Sequence, residues 1–354
     1  MTLFRRHKNV RETAPGARPD RVPFLTAKGN VPLFAMNIRA SAGPFIREHI
    51  AFISLSCVVC GILAGEGAAR FSAAVPWFFA VLTFNSGLGL RIRDLGSLRS
   101  KPWILPLHLA WLHLVMPVLA FGVTKLLSFP NEAVMGFVIL SIIPISASCV
   151  VWVGIYKGNV TLAMALLLMD TVLAPFIIPS ALHFMFGAGV HMDPLRMLRG
   201  LFWLLLAPTL LALTLNRLTQ GGLQKVAGKT VSSLAQGAIF CILFINGGVV
   251  APFFPNPTPL FFAILGVCFA MYCVWFGLGF FMGRSILGGS KDVISFMLCS
   301  SVRSPTTGIV IAMTYFAPLA TLPIVMGMLV QPSMSSFTGK LASRYLAAKV
   351  GQPA

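Results

Sequence analysis

The residues able to do chemistry in this chain are polar groups set inside apolar sequence. The run Cys299-Ser300-Ser301-Val302-Arg303-Ser304-Pro305-Thr306-Thr307-Gly308 places a permanent cation between the apolar stretches Val293–Leu298 and Ile309–Met313. A charge at membrane depth costs roughly 3 kcal/mol on insertion scales, so such a charge marks a site. The Pro, Gly and hydroxyl residues around Arg303 predict an interrupted helix. Irregular backbone at that depth survives only where protein or a water-filled cavity covers it. The pattern points to a buried binding site.

Asp170 is the other charge deep in apolar sequence. It lies ten residues after Val160, and Arg303 lies ten after Val293. At ~1.5 Å per residue both sit about 15 Å from the same boundary. Equal depth predicts that the two come within pairing distance. A hydrogen-bonded buried pair is far less costly than either charge alone. Such a pair could simply lock two helices together, or could meet a substrate or a proton, and the two roles are compatible. Ser146, Ser148, Cys149, Ser301, Ser304, Thr306 and Thr307 supply small polar contacts beside the charges, and Asn85 and Asn246 supply amides from other helices.

These residues need a membrane protein to position them. The chain is 57% hydrophobic and only 10% charged, against about 25% charge in soluble domains. Ten stretches are long enough to cross ~30 Å of hydrocarbon: roughly 46–65, 72–90, 103–127, 133–155, 160–186, 197–215, 231–254, 259–283, 293–315 and 318–338. The net charge of +18 suggests a nucleic-acid partner, but topology accounts for it better. With the N-terminus inside, 22 of the 27 Lys and Arg residues fall on the cytoplasmic side and four outside, and Arg303 is the remaining one. This asymmetry predicts both termini in the cytoplasm and a plasma (bacterial inner) membrane location. No nucleic-acid role is expected. Segment 1–45 reads as a basic, disordered tail able to touch anionic headgroups. Segment 347–354 reads as a short C-terminal tail.

The halves repeat. Asn85 and Asn246 are 161 residues apart, and so are Pro144 and Pro305. Five spans separate matching elements, so the halves, 46–186 and 197–346, insert with opposite orientation. The fold expected is all-α and polytopic, with ten transmembrane helices in two inverted five-helix repeats. Helices 4 and 9 are then broken and cross near Ser146 and Ser304.

His108 and His113, five apart, point to different faces of a regular helix and read as core or cavity-lining residues. Cys57 and Cys60 form a C-x-x-C without His or carboxylate partners and read as packing residues. No metal site and no cofactor is expected.

The run Phe84-Asn85-Ser86-Gly87-Leu88-Gly89-Leu90-Arg91-Ile92-Arg93-Asp94-Leu95 resembles the second helix and following loop of the bile acid:sodium symporter family. So do Pro144 with its small neighbours, Lys157-Gly158-Asn159, and Thr307-Gly308. The resemblance covers about residues 46–346. It implies ten helices, a panel from spans 1, 2, 6 and 7, and a core from spans 3, 4, 5, 8, 9 and 10. It also implies transport of organic anions by alternating access. Its sodium ligands do not carry over. The ninth-helix carboxylate and the Gln four residues later fall on Ser301 and Pro305. The Ser-Asn pair after the fourth-helix break falls on Cys149 and Val150, and the fifth-helix hydroxyls fall on Ala163 and Leu167. The expected function is therefore a secondary transporter or facilitator of a small organic anion. An ordinary sodium symporter is the alternative, and coupling to protons, sodium or nothing stays open. A membrane-embedded enzyme would need a nucleophile–base set or paired carboxylates that the sequence lacks. A non-transporting scaffold would need more soluble chain.

Overall fold

The computed structural model describes residues 53, 56–90, 95, 96, 98, 101–187, 193–254 and 258–350. The basic segment 1–45, much of the first expected span, the expected outer connection at 188–192 and residues 351–354 lie outside them. The described chain is helical, without strands. A helical segment 56–64 leads into α1 (Glu66–Gly89). There follow α2 (Ile104–Leu126), α3 (Asn131–Ile142), α4 (Ser148–Ile155), α5 (Val160–Phe186), α6 (Pro194–Leu218) and α7 (Gly222–Phe253). The series ends with α8 (Pro259–Ile286), α9 (Ser290–Ser301), α10 (Pro305–Tyr315) and α11 (Thr321–Val350).

Seven of these, α1, α2, α5, α6, α7, α8 and α11, are long and apolar enough to cross a membrane. The chain is a multi-pass membrane protein. The expected fourth and ninth spans are each divided, into α3 with α4 and α9 with α10. Proline accounts for both interruptions. The residue before proline is pushed out of the helical region, and Ile143 before Pro144 has φ −58° and ψ 151°. Ser304 before Pro305 has φ −99° and ψ 84°. Pro305 itself opens α10, where its missing N–H is no loss.

Several expected boundaries are corrected. The stretch Asn216–Lys229, read as a cytoplasmic connection, is mostly helix. Only the turn Thr219–Gly221 separates α6 from α7, with Gln220 and Gly221 at positive φ. Lys225 and Lys229 lie in the polar opening turns of α7 rather than in a loop. The C-terminal helix runs to Val350, so 347–350 is helix and not tail. α2 and α6 each carry a π turn, at Trp111–Val115 and Phe202–Leu206. Pro117 and Pro208 follow these turns closely, and each removes a helix donor there.

Two groups of helices pack mainly among themselves. In the first, α1 lies against α6 and α7. In the second, α2 lies on α3, α8 on α9 and α11, and α11 on α3 and α10. The 56–64 segment approaches α7 through glycine. A Cβ at Gly61 would collide with the carbonyl of Phe244, and one at Gly247 with the carbonyl of Val58. Backbone against backbone leaves no flexible atom to yield, and overpacking of this kind costs about 1–3 kcal/mol or more. Gly61→Leu is therefore expected to lower the Tm of the detergent-purified protein by several degrees. Gly237→Ala, where a Cβ meets nothing within 4 Å, should leave it unchanged.

Candidate functional site

The divided helices meet at their breaks. Ser146 N–H donates to Val302 O at 3.0 Å, and Ser304 N–H donates to Pro144 O at 2.9 Å. Ile145 and Arg303 face each other in this short antiparallel ribbon. Each break thus satisfies peptide groups of the other in the buried interior of the protein. Two helix C-termini (α3, α9) and two N-termini (α4, α10) converge on the crossing, bringing partial charges of both signs.

Arg303 and Asp170 are both completely buried there, but they do not pair as their equal depth predicts. Among the described residues Lys101 forms an ion pair with Asp292, and Asp170 is hydrogen-bonded to His113 and not to Arg303. Each deep charge instead serves a different end of one break. Arg303 Nη1 donates to the carbonyl of Ile143 at 3.3 Å, where the C-terminus of α3 is negative, and Nη2 donates to Met116 Sδ at 2.7 Å. Asp170 Oδ2 accepts from the Ile145 N–H at 2.6 Å, just before the positive start of α4, and Oδ1 is hydrogen-bonded to His113 Nε2 at 2.6 Å. Depth along a helix axis sets height and not azimuth, so equal depth in sequence does not bring two side chains together.

Gln331 of α11 completes the ribbon. Its Oε1 accepts from Arg303 N–H at 2.9 Å and its Nε2 donates to Arg303 O at 3.0 Å. Tyr272 Oη also donates to Oε1, at 3.0 Å. The side-chain amide therefore acts as a third strand one residue long. Gln331 and His113 carry no formal charge, so a search for Asp, Glu, Lys and Arg passed over both as partners. A polar residue deep in an apolar span was the available signal.

The rest of the crossing divides into two faces. Ser148 is exposed, and Ser146, Ser304 and Thr306 are half-buried. Ser146 and Ser148 hydroxyls lie 2.8 Å apart. Thr307 Oγ1 donates to Ser304 Oγ at 2.8 Å, and Ser304 Oγ lies 3.3 Å from Thr306 Oγ1. These hydroxyls are partly exposed, whereas Arg303 and Asp170 are sealed. Ser301 turns back on its own helix, donating to Met297 O at 3.0 Å. Cys149 packs on Cys299 with sulfurs 3.4 Å apart. Asn85 is half-buried on α1, whose neighbours include α10. Asn246 is buried on α7 with neither amide atom bonded. Neither asparagine bonds to the crossing among the described residues. A cavity of about 860 Å³ lies apart from it, where Leu63 and Glu66 meet Phe254, Met313 and Phe316.

A sodium ion needs several oxygen ligands around a compensated charge. At the positions where the resemblance implies such ligands stand Cys149, Val150, Ala163, Leu167 and Pro305, which offer no side-chain oxygen, so Ser301 alone of the set keeps one. The guanidinium of Arg303 is bonded beside them, to Ile143 O. These residues do not fit a sodium site.

A model of the SBF-like CPA transporter family matches residues 44–344. The chain is 28% identical to the uncharacterized protein YbaS of Bacillus subtilis, over 81% of this chain and 94% of that one. It is 23% identical to the uncharacterized sodium-dependent transporter YocS of the same organism, over 71% and 77%. It is 24% identical to the probable sodium/metabolite cotransporter BASS1, chloroplastic, of Oryza sativa subsp. japonica, over 67% and 58%.

Replacing Gln331 by Leu strips the buried Arg303 peptide of both its partners. Each unsatisfied buried group costs about 1–3 kcal/mol. Gln331→Leu is expected to cost several kcal/mol, read as a large loss of Tm in detergent, with Gln331→Glu recovering only part.

Proposed function

Because this chain belongs to the SBF-like CPA transporter family, we propose that it is a secondary transporter of a small organic anion in which fixed protein charges replace a bound sodium ion. The single observation that carries this is the placement of Arg303 and Asp170. They clamp the two ends of the α3–α4 break, through Ile143 O and Ile145 N–H, where an ion would otherwise hold the broken helices together.

In this reading the ten-span architecture holds, as two inverted five-helix repeats with both termini cytoplasmic in the plasma membrane. The split into two helix groups supports it, the α1–α6–α7 group acting as a panel against which the remaining helices move. The cavity between Glu66, Phe254 and Phe316 then lies on the outer side, between panel and core. Ser146, Ser148, Ser304 and Thr306 present hydroxyls to the substrate, and the N-termini of α4 and α10 present positive potential to its anionic group. Arg303, fully buried, acts as the resident cation and not as a direct substrate contact. Asn246, buried without a partner, and Asn85 supply amides from the panel. An enzymatic role finds no support in this site, since the one deep carboxylate is committed to His113 and Ile145.

The names of two relatives attach sodium to those proteins, and ordinary sodium symport is the competing reading. Uptake by proteoliposomes of an anion selected in a thermal-shift screen decides between them. Uptake is expected to change little when sodium is exchanged for choline. A steep, saturable rise with sodium would establish sodium symport.

A further inference from the structure

We infer that the His113–Asp170 pair is an exchangeable proton site, and that its protonation gives the crossing the net positive charge a substrate anion needs. This rests on the transport reading above, and it adds the coupling ion and the residues that hold it. The geometry begins with the 2.6 Å contact between His113 Nε2 and Asp170 Oδ1, sealed between α2 and α5. A purely structural pair would have both ring nitrogens hydrogen-bonded. Here His113 Nδ1 is buried with no partner, as are both ring nitrogens of His108, Trp111 Nε1 on the same helix, and Arg303 Nε. Buried polar atoms without partners are costly; Trp111 Nε1 and Arg303 Nε can only donate, whereas the lone-pair nitrogen of each imidazole can accept a proton. His108, packed edge-on against Phe296 at 4.9 Å, sits one helical step from His113 and within electrostatic reach of Asp170 and Arg303.

The charges facing the pair fix its consequence. From α2 come His108 and His113, from α5 Asp170, and from the crossing Arg303. Tyr272 of α8, Cys149 of α4 and Cys299 of α9 face Arg303. With His113 and His108 neutral, Asp170 and Arg303 cancel, and the site holds no net charge for an anion. One proton on the pair consumes the carboxylate's charge and leaves the guanidinium uncompensated. A monoanion at the neighbouring hydroxyls restores neutrality. Each partner thus lowers the cost of burying the other, because an unpaired buried charge is the expensive state. The added proton is taken from water on the loading side, held on His113 Nδ1 while Nε2–H stays bonded to Oδ1, and returned to water on the release side. No other bond forms or breaks, and transport of a monoanion is electroneutral.

The test is ring 15N NMR of histidine-labelled protein in lipid nanodiscs, scanned from about pH 5 to pH 8, the window in which histidine changes charge. One ring in through-space contact with a carboxylate should switch between neutral and charged forms in a single step. That signal should vanish in His113→Gln, and the step should leave the window in Asp170→Asn. If His113→Gln does not fold, the carboxylate contact assigns the signal in the unmodified protein. A His113 ring that keeps one charge state across the whole range overturns the proposal and makes the pair a fixed structural bond. The titration needs no substrate, so its failure is distinct from a failure of the uptake assay.

Discussion

Two helices broken in the buried interior of a membrane protein must find partners for the peptide groups they release, and the rest of this molecule is arranged around that requirement. Each unsatisfied group in hydrocarbon costs several kcal/mol, so the breaks can exist only where they answer each other. They do so through the ribbon of Ile145 and Arg303, with Ser146 bonded to Val302 and Ser304 to Pro144. The ends of the ribbon still expose a carbonyl at Ile143 and an N–H at Ile145. Arg303 and Asp170 take these, and Gln331 takes the remaining peptide edge.

That arrangement explains how charge can sit deep in an apolar chain. Arg303 meets the negative end of one half-helix and Asp170 the positive start of the next, so each is stabilised by local dipoles as well as by its bonds. The sealed ionic face and the partly exposed hydroxyl face lie back to back on the same few residues. A solute at Ser148 or Thr306 would be separated from Arg303 by one layer of backbone. Binding there and the electrostatic state of the ionic face are therefore linked in the proposed mechanism.

Much of this was legible in the sequence because its causes are local. Pro144 and Pro305 announce the breaks, their common 161-residue offset with Asn85 and Asn246 pairs them, and Arg303 marks the second. Periodicity and hydropathy placed most of the long helices. The partner of Asp170 was not legible, since rise per residue gives height and says nothing of the direction in which a side chain leaves its helix. His113 and Gln331 were passed over as partners because an inventory of formal charges ignores neutral polar groups, which in a membrane core are nearly as constrained. The π turn at Trp111–Val115 also shifts the face that His113 presents, and no simple periodic rule anticipates that. The helix ends at Gly222 and Val350 extend past the apolar stretches that marked the spans, because amphipathic turns continue a helix beyond the hydrocarbon.

The central claim is that a guanidinium, and not a metal ion, supplies the cation at the crossing. Equilibrium binding of 22Na+ to the purified protein by scintillation proximity addresses it without any knowledge of the substrate. The account predicts no saturable 22Na+ signal above that of protein-free beads. Saturable 22Na+ binding displaced by unlabelled sodium but not by choline would contradict it.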